Sequence, residues 1–282
     1  MILCDDCKYE TSEYVVACEH CGQPSRFPNV IAANKKEELT KVNADYAHAL
    51  SVAEESVKPI LQSFENAVNK SNAILVRPIH EVCVLFENLN SVHQTFHQRL
   101  RSGGITMSEN EYDVNRPTVD AKLFPTYSDK ITFAALSLNS LGAIKYGCCH
   151  MTLKTNMIEH RSSIFQGNSY HILSRLGISV DKDVPKGLRT TWALRGRLAI
   201  SKLASFLKTD TIHSEFQSLL INDDDLMEVH IFGNISHHTI AEITINVSNT
   251  NEIEKHFVLA LQKKIQELKN SINNWDTKFT EI

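Results

Sequence analysis

At 282 residues, the chain is long enough for one large domain with a small appendage, or for two domains of ordinary size. Its hydrophobic content of 42% excludes an intrinsically disordered chain, and its net charge of −4 excludes a polycation that binds nucleic acid by overall charge. The N-terminus carries no secretory signal pattern, and the longest weakly polar run, residues 131–144, is too short for a membrane-spanning helix. We therefore expect a cytoplasmic protein without a membrane partner.

Two Cys-x-x-Cys pairs lie near the N-terminus and contain Cys4, Cys7, Cys18 and Cys21. A reducing cytosol disfavours disulfides, and two such turns can place four thiolates around one metal ion. We predict a zinc ribbon over residues 1–28 that holds a Zn²⁺ ion, with a short β-hairpin between the two pairs. Because four thiolates leave no open coordination position, the expected role of the zinc is structural.

Two amphipathic helical regions flank the centre of the chain. Apolar residues recur at spacings of three and four from Leu39 to Ala67, which predicts a helical arm over residues 35–71. Pro59 falls inside this pattern and should divide the helix near Lys58. The apolar positions from residue 253 to residue 275 predict a C-terminal amphipathic helix that packs on the body.

The remaining residues, 72–282 with the C-terminal helix included, are predicted to form one α+β domain. Helices are expected near residues 92–100 and 191–207. The rest of this region contains short apolar runs separated by polar turns, a pattern that predicts β-strands. These runs cover residues 74–76, 82–86, 131–138, 148–153, 229–232 and 240–247.

A basic stretch from residue 186 to residue 202 contains no Asp or Glu and includes Trp192. Clustered cations interleaved with an aromatic residue are typical of nucleic-acid contacts, although a solvated helix face has the same composition. The candidate contacts to a nucleic-acid acceptor are Lys186, Arg189, Arg195 and Arg197.

Three segments, residues 131–139, 146–153 and 227–236, each read as a strand that ends or begins at a polar residue. Their order and character resemble the ADP-ribosyltransferase superfamily over roughly residues 73–248, with the bacterial toxins that modify DNA or mRNA as the nearest comparison. In that superfamily, split sheets clamp NAD, which is the substrate. A first strand carries an Arg or His, a middle strand carries a Ser or an aromatic residue, and a late strand presents the catalytic Glu. The resemblance implies a split β-sheet body.

Glu228 corresponds to the late glutamate of the superfamily, because it opens an apolar strand that is followed by Gly233 and a second strand. Cleavage of the bond between nicotinamide and ribose develops positive charge on the ribose, which a fixed carboxylate stabilises. Family members that modify arginine carry a second Glu or Gln two residues earlier, where this chain has Leu226. The resemblance therefore implies RNA or DNA, rather than arginine, as the acceptor.

The resemblance also implies residues that bind NAD. Arg77 is the candidate for the first strand, with Arg101 or Arg116 as alternatives, since an arginine can contact a pyrophosphate through two parallel hydrogen bonds. Ser137 takes the position of the middle-strand serine, although Ala135 and Leu136 replace the preceding Ser and Thr of the family pattern. The third NAD-binding candidate is Tyr146.

These observations predict an NAD-dependent ADP-ribosyltransferase that acts as a toxin or phage-defence enzyme, with an antitoxin or chaperone as its partner. The alternative is a non-enzymatic adaptor whose zinc ribbon binds a protein or a nucleic acid. A nuclease is disfavoured, because no cluster of Asp, Glu and His at metal-binding spacing accompanies the cysteines.

Overall fold

The computed structural model describes residues 1–103, 111–177, 183–222, 225–272 and 275–282. Its strands are β1 (Ile2–Leu3), β2 (Glu10–Thr11), β3 (Asn72–Arg77), β4 (Ile131–Ser137), β5 (Cys149–Leu153), β6 (Ser162–Phe165), β7 (Arg189–Thr191), β8 (Glu228–Phe232), β9 (Ile240–Ile245) and β10 (Lys278–Glu281). Its helices are α1 (Pro28–Ala33), α2 (Lys36–Val52), α3 (Lys58–Val68), α4 (Ile79–Glu87), α5 (Phe96–Arg101), α6 (Glu111–Leu123), α7 (Thr155–Ile158), α8 (Ser169–Arg175), α9 (Arg195–Leu203), α10 (Phe216–Leu220) and α11 (Glu252–Ser271).

Eight strands form one mixed sheet in the order β10-β9-β5-β3-β4-β8-β6-β7. All neighbouring strands in it are antiparallel except β9 and β10, which are parallel. With the helices around this sheet, the predicted α+β class is confirmed.

The sheet opens between its two central strands. β3 pairs with β4 only from Asn72 to Ile74, whereas its pairing with β5 continues from Ile74 to Arg77. On the other side, β4 stays paired with β8 from Ile131 to Ala135. The C-terminal end of β3 and the N-terminal end of β4 therefore diverge and leave a cleft in the middle of the sheet.

The two faces of the sheet differ in chemistry, because successive side chains of a strand point to opposite sides. On one face, Val229 and Ile231 of β8 join the main hydrophobic core, together with Ala134 and Leu136 of β4. On the opposite face, the same strands present Glu228, His230 and Phe133. This second face also carries Ile131, Phe165 and Phe232, which belong to a separate hydrophobic cluster, and the cleft opens on it.

The helices follow the sequence patterns in most places. The predicted division near Lys58 is confirmed, because α2 ends at Val52 and α3 begins at Lys58 with Pro59 in its first turn, where the missing N–H is not needed. Val42 of α2 and Phe64 of α3 lie in the same core as the sheet. The domain boundaries drawn from the sequence stay predictions.

The C-terminal helix is confirmed as α11, which packs on α4 and buries Val258, Leu261, Ile265 and Leu268. Its N-terminus is fixed by a capping box between Asn251 and Glu254. The strand expected over residues 82–86 is wrong, because these residues lie in α4. A continuous apolar run fits a buried helix as well as a buried strand, and Pro78 supplies the helix start. None of the described helices combines the length and apolar character needed to span a membrane.

Candidate functional site

The four N-terminal cysteines converge in the structure. The Sγ atoms of Cys4 and Cys21 lie 3.6 Å apart, those of Cys7 and Cys18 lie 3.7 Å apart, and all four lie within 4.8 Å of one another. Four thiolates at about 2.3 Å from a tetrahedral zinc ion are about 3.8 Å from one another. The cluster therefore has the size that a tetrahedral metal site requires.

Each cysteine pair lies in its own tight turn. The amides of Lys8 and Gly22, the residues after Cys7 and Cys21, donate to the carbonyls of Cys4 and Cys18 at 2.9 and 2.8 Å. Both Lys8 and Gly22 have a positive φ, so the two turns share one backbone conformation. The amide of Cys7 lowers the pKa of the Cys4 thiol to about 7, whereas burial and the neighbouring thiols raise the pKa of Cys7 and Cys21.

The hairpin expected between the cysteine pairs is wrong. β1 and β2 enclose the first pair, and a bridge between Ala17 and Pro24 encloses the second, so that each turn is closed by its own short ladder. The ribbon also contacts the body. Glu13 accepts a hydrogen bond from the amide of Asn234 at 3.1 Å, just beyond β8.

A cleft of about 360 Å³ opens where β3 and β4 diverge. Its wall combines cations, carboxylates and aromatic rings from six parts of the chain. The lining side chains with this chemistry are Arg77, Glu81, Phe96, Arg99, Arg116, Phe133, Lys145, Tyr146 and Glu228. Three of the predicted site residues, Arg77, Tyr146 and Glu228, thus line one cavity.

Glu228 begins β8 and is only 4% exposed. Backbone pairing places it between Ala135 of β4 and Phe165 of β6, in the middle of the sheet. Its Oε2 lies 2.8 Å from Nε2 of His230, the next residue on the same face of the strand. The carboxylate is therefore carried by rigid backbone and held by one imidazole.

Arg77 ends β3 and contributes a mostly buried guanidinium to the cleft. Its Nη2 lies 3.1 Å from Nε2 of His93, while its Nε has no hydrogen-bond partner among the described residues. Burial lowers the pKa of Arg77 to about 10. Glu81 of α4 lies 3.9 Å from Nε of Arg77 and 2.7 Å from Nη1 of Arg99, so this carboxylate links two cleft arginines.

Arg116 reaches the cleft from α6. Its guanidinium stacks on the ring of Phe133 at 4.2 Å, and its Nε contacts Oδ2 of the buried Asp120 at 3.4 Å. Burial lowers the pKa of Arg116, but the charges of Asp120 and Glu228 outweigh burial and raise it. Asp120 also contacts Nε2 of His97 at 2.8 Å, which links α6 to α5.

Gly147 brings Tyr146 beside Arg77. A Cβ atom at Gly147, where φ is +141°, would lie 2.3 Å from the carbonyl carbon of Arg77. Only glycine permits this close approach of the two chain segments. Tyr146, the first residue of the predicted segment 146–153, therefore lines the cleft.

Two other predicted residues lie elsewhere. Ser137 is buried at the far end of β4, where its Oγ donates to the carbonyl of Leu141 at 2.7 Å and contacts Gln217, and it does not line the cleft. Phe133 and Thr132 are the β4 residues with polarisable or polar side chains that do. Arg101 is 67% exposed and pairs with Asp129 outside the cleft, so Arg77 and Arg116 are the cleft arginines among the three candidates.

Several side chains of the basic stretch, residues 186–202, make contacts inside the protein. Trp192 is buried, and Arg195 stacks on it and donates to the carbonyls of Trp192, Val68 and Asn69. Arg189 pairs with the buried Glu38 at 3.0 Å. Arg189 makes this contact through Nε, and Arg195 uses all three of its guanidinium nitrogens. Contact of the basic stretch with nucleic acid stays a prediction. Lys186 and Arg197 remain at the surface, where Arg197 donates to Asn43.

Sequence reasoning missed Arg99, Phe133 and His230. The signal for His230 and Phe133 was strand alternation, because His230 lies two residues after Glu228 and Phe133 lies four residues before Ser137. No local signal distinguishes Arg99 from other helix-surface cations. No protein-family model and no curated protein matches this chain.

Proposed function

We propose that the cleft binds NAD and that the protein is an ADP-ribosyltransferase with Glu228 as its catalytic residue. The observation that carries this proposal is the adjacency of β3, β4 and β8, the three strands on which the resemblance places the functional positions. Arg77, Tyr146 and Glu228 are far apart in the sequence and line the same cavity. The divergence of β3 from β4 supplies the opening between two half-sheets that the resemblance implies.

In the proposed reaction, the bond between C1′ of the ribose and the nicotinamide nitrogen breaks, and its electron pair leaves with nicotinamide. The acceptor then attacks C1′ through a lone pair and releases its proton to water. The carboxylate of Glu228 stabilises the positive charge that develops on the ribose and orients the 2′-hydroxyl. A group fixed on a strand needs no rearrangement to do so, because its position is set before the substrate arrives.

The arginines of the cleft suit the pyrophosphate of NAD. Nε of Arg77 is buried without a hydrogen-bond partner among the described residues, 3.9 Å from Glu81, and Arg116 is presented on the ring of Phe133. Charged donors in a partly buried cavity bind phosphate oxygens more strongly than neutral donors do. Tyr146 and Phe96 add aromatic surface for the planar ends of the dinucleotide.

We keep RNA or DNA as the proposed acceptor on the strength of Leu226. This residue lines the cleft, is 4% exposed, and occupies the position at which the resemblance would require a Glu or Gln for an arginine acceptor. An apolar side chain there offers no partner for a guanidinium.

The test is cleavage of NAD labelled in its adenylate half, followed by transfer of label to separate pools of DNA, RNA and protein. Glu228→Gln keeps the shape of the side chain and deletes its charge, so it should lower the rate by roughly 10²- to 10³-fold. Its affinity for NAD should change little, because the charge acts mainly in the transition state.

A toxin would also stop growth of the expressing cells in its wild-type form and spare them as the Glu228→Gln variant. Wild-type protein that folds and leaves NAD intact in all three pools would remove the enzyme proposal. The non-enzymatic adaptor would then be the better account.

We also propose that the four-cysteine cluster binds one structural zinc ion. The supporting observation is the size of the cluster, with Sγ pairs at 3.6 and 3.7 Å. The protein should carry about one zinc per chain, and the double substitution Cys4→Ser with Cys7→Ser should remove it. Cys83→Ser is the matched control, since Cys83 lies in the main core. Metal analysis that finds no zinc in folded wild-type protein would contradict this proposal.

A further inference from the structure

Glu228 and His230 lie side by side on the face of β8 opposite the main core. Side chains two residues apart on a strand share a face, and here the two groups meet, with Oε2 of Glu228 2.8 Å from Nε2 of His230. This is the one hydrogen bond to the Glu228 carboxylate that the described residues form. The contact joins the residue proposed for catalysis to a side chain that does not line the cleft.

His230 is locked in position by its surroundings. It is 1% exposed, and its ring lies 4.9 Å from that of Phe124, 5.0 Å from that of Phe133 and 5.6 Å from that of Phe165, measured between centroids. Its carbonyl accepts a hydrogen bond from the side chain of Asn29 at 2.9 Å. Three rings and a pinned backbone leave the imidazole little freedom to turn.

We propose that His230 is the positioning residue of Glu228. In this arrangement, Nε2–H donates to Oε2 and fixes the rotation of the carboxylate, so that Oε1 is the oxygen that meets the ligand. A glutamate has three side-chain torsions, and without the imidazole its carboxylate would sample several orientations at the cleft wall. The inference rests on the proposed function, since it assigns a role within the same site.

The size of the effect follows from the geometry that catalysis needs. Displacement of a catalytic group by about 1 Å can cost on the order of 10²-fold in rate. His230→Phe fills the space among the three phenylalanines without a donor, and we expect its kcat to fall roughly 10- to 100-fold, with KM changed by less than about threefold. His230→Gln places an amide N–H at similar reach and should recover a large part of the loss.

Kinetics in two backgrounds separate positioning from a general structural role. If His230 acts through Glu228, the His230→Phe substitution should have almost no effect on NAD cleavage when Glu228 is already glutamine. A structural role predicts the same fold loss in both backgrounds. The thermal midpoints of all variants are measured alongside, to show that each is folded.

A ligand-free measurement covers the case in which His230→Phe does not fold. In wild-type protein, the Nε2–H proton of His230 should give a slowly exchanging NMR signal. Glu228→Gln should shift that signal upfield, because a neutral amide is a weaker acceptor than a carboxylate. An unmoved signal would overturn the proposal.

An active wild-type enzyme with an unchanged kcat in His230→Phe, or with equal losses in both backgrounds, would overturn the role of His230 alone. Folded wild-type protein without any NAD cleavage would instead overturn the proposed function, together with the role of His230 in it.

Discussion

Two arginine-rich regions of this protein use the same side chain in opposite ways. At α9, the guanidinium of Arg195 donates hydrogen bonds to three backbone carbonyls and stacks on the ring of Trp192. In the cleft, Nε of Arg77 makes no hydrogen bond among the described residues and lies 3.9 Å from Glu81, and Arg116 lies on Phe133 at the cavity wall. An arginine whose donors are all hydrogen-bonded within the protein stabilises the fold, whereas one with an unused donor can bind a ligand. The number of cations in a stretch of sequence does not distinguish the two.

The largest expected effect is on stability at α9. Arg195→Ala leaves buried carbonyls without their charged donor, so we expect the free energy of unfolding to fall by about 3 to 5 kcal/mol. Arg197 lies on the same helix with an exposed side chain. The Arg197→Ala substitution should therefore lower the free energy of unfolding by less than about 1 kcal/mol. Urea denaturation of both variants checks this. Similar losses for the two would contradict the contrast between them.

The next effect is on ligand binding at the cleft. Arg77→Ala, made in the Glu228→Gln background to prevent turnover, should weaken NAD binding roughly 10- to 100-fold, because a charged hydrogen bond is worth about 1.5 to 3 kcal/mol. Arg101→Ala is the matched control and should bind NAD like its parent, since Arg101 lies outside the cleft. Isothermal titration calorimetry gives both affinities. Equal affinities for the two variants would show that Arg77, like Arg195, stabilises the fold and does not bind NAD.

The smallest effect concerns pH. Burial, followed by the charges of Arg77 and Arg99, holds the pKa of His93 well below its usual value. Below about pH 6.5, His93 is therefore protonated in the unfolded chain but stays neutral in the native protein. The free energy of unfolding is highest above this pH, and it falls on acidification by up to about 1.4 kcal/mol per pH unit. His93→Gln, which still offers Arg77 an acceptor, should lose less stability between pH 7 and pH 5 in urea titrations. An identical loss in the variant would contradict this role of His93.

Features that depend on residues close together in the sequence could be predicted from it more fully than features that depend on distant contacts. The cysteine cluster was predicted residue by residue, because four ligands within 18 residues need only two turns to converge. The division of the N-terminal helix at Pro59 was equally local. By contrast, the apolar run at residues 82–86 predicts a strand and forms part of α4, because a continuous apolar run fits either element.

The cleft could be predicted only in part. Glu228, Arg77 and Tyr146 were chosen from strand ends and a family resemblance, and they line one cavity. Ser137 was chosen by the same reasoning but faces Gln217, because the cleft opens at the other end of β4. The burial of Arg195 depends on contacts with residues about 125 positions earlier in the chain, which no linear pattern reveals.

We expect NAD to lie in the cleft with its reacting ribose at Glu228. The most direct measurement is a crystal structure of the Glu228→Gln variant with NAD. Our account predicts that C1′ of the nicotinamide ribose lies beside residue 228, and that the pyrophosphate is within hydrogen-bonding distance of Arg77 or Arg116. NAD bound at another surface, or a cleft that stays without NAD at saturating concentration, would contradict it.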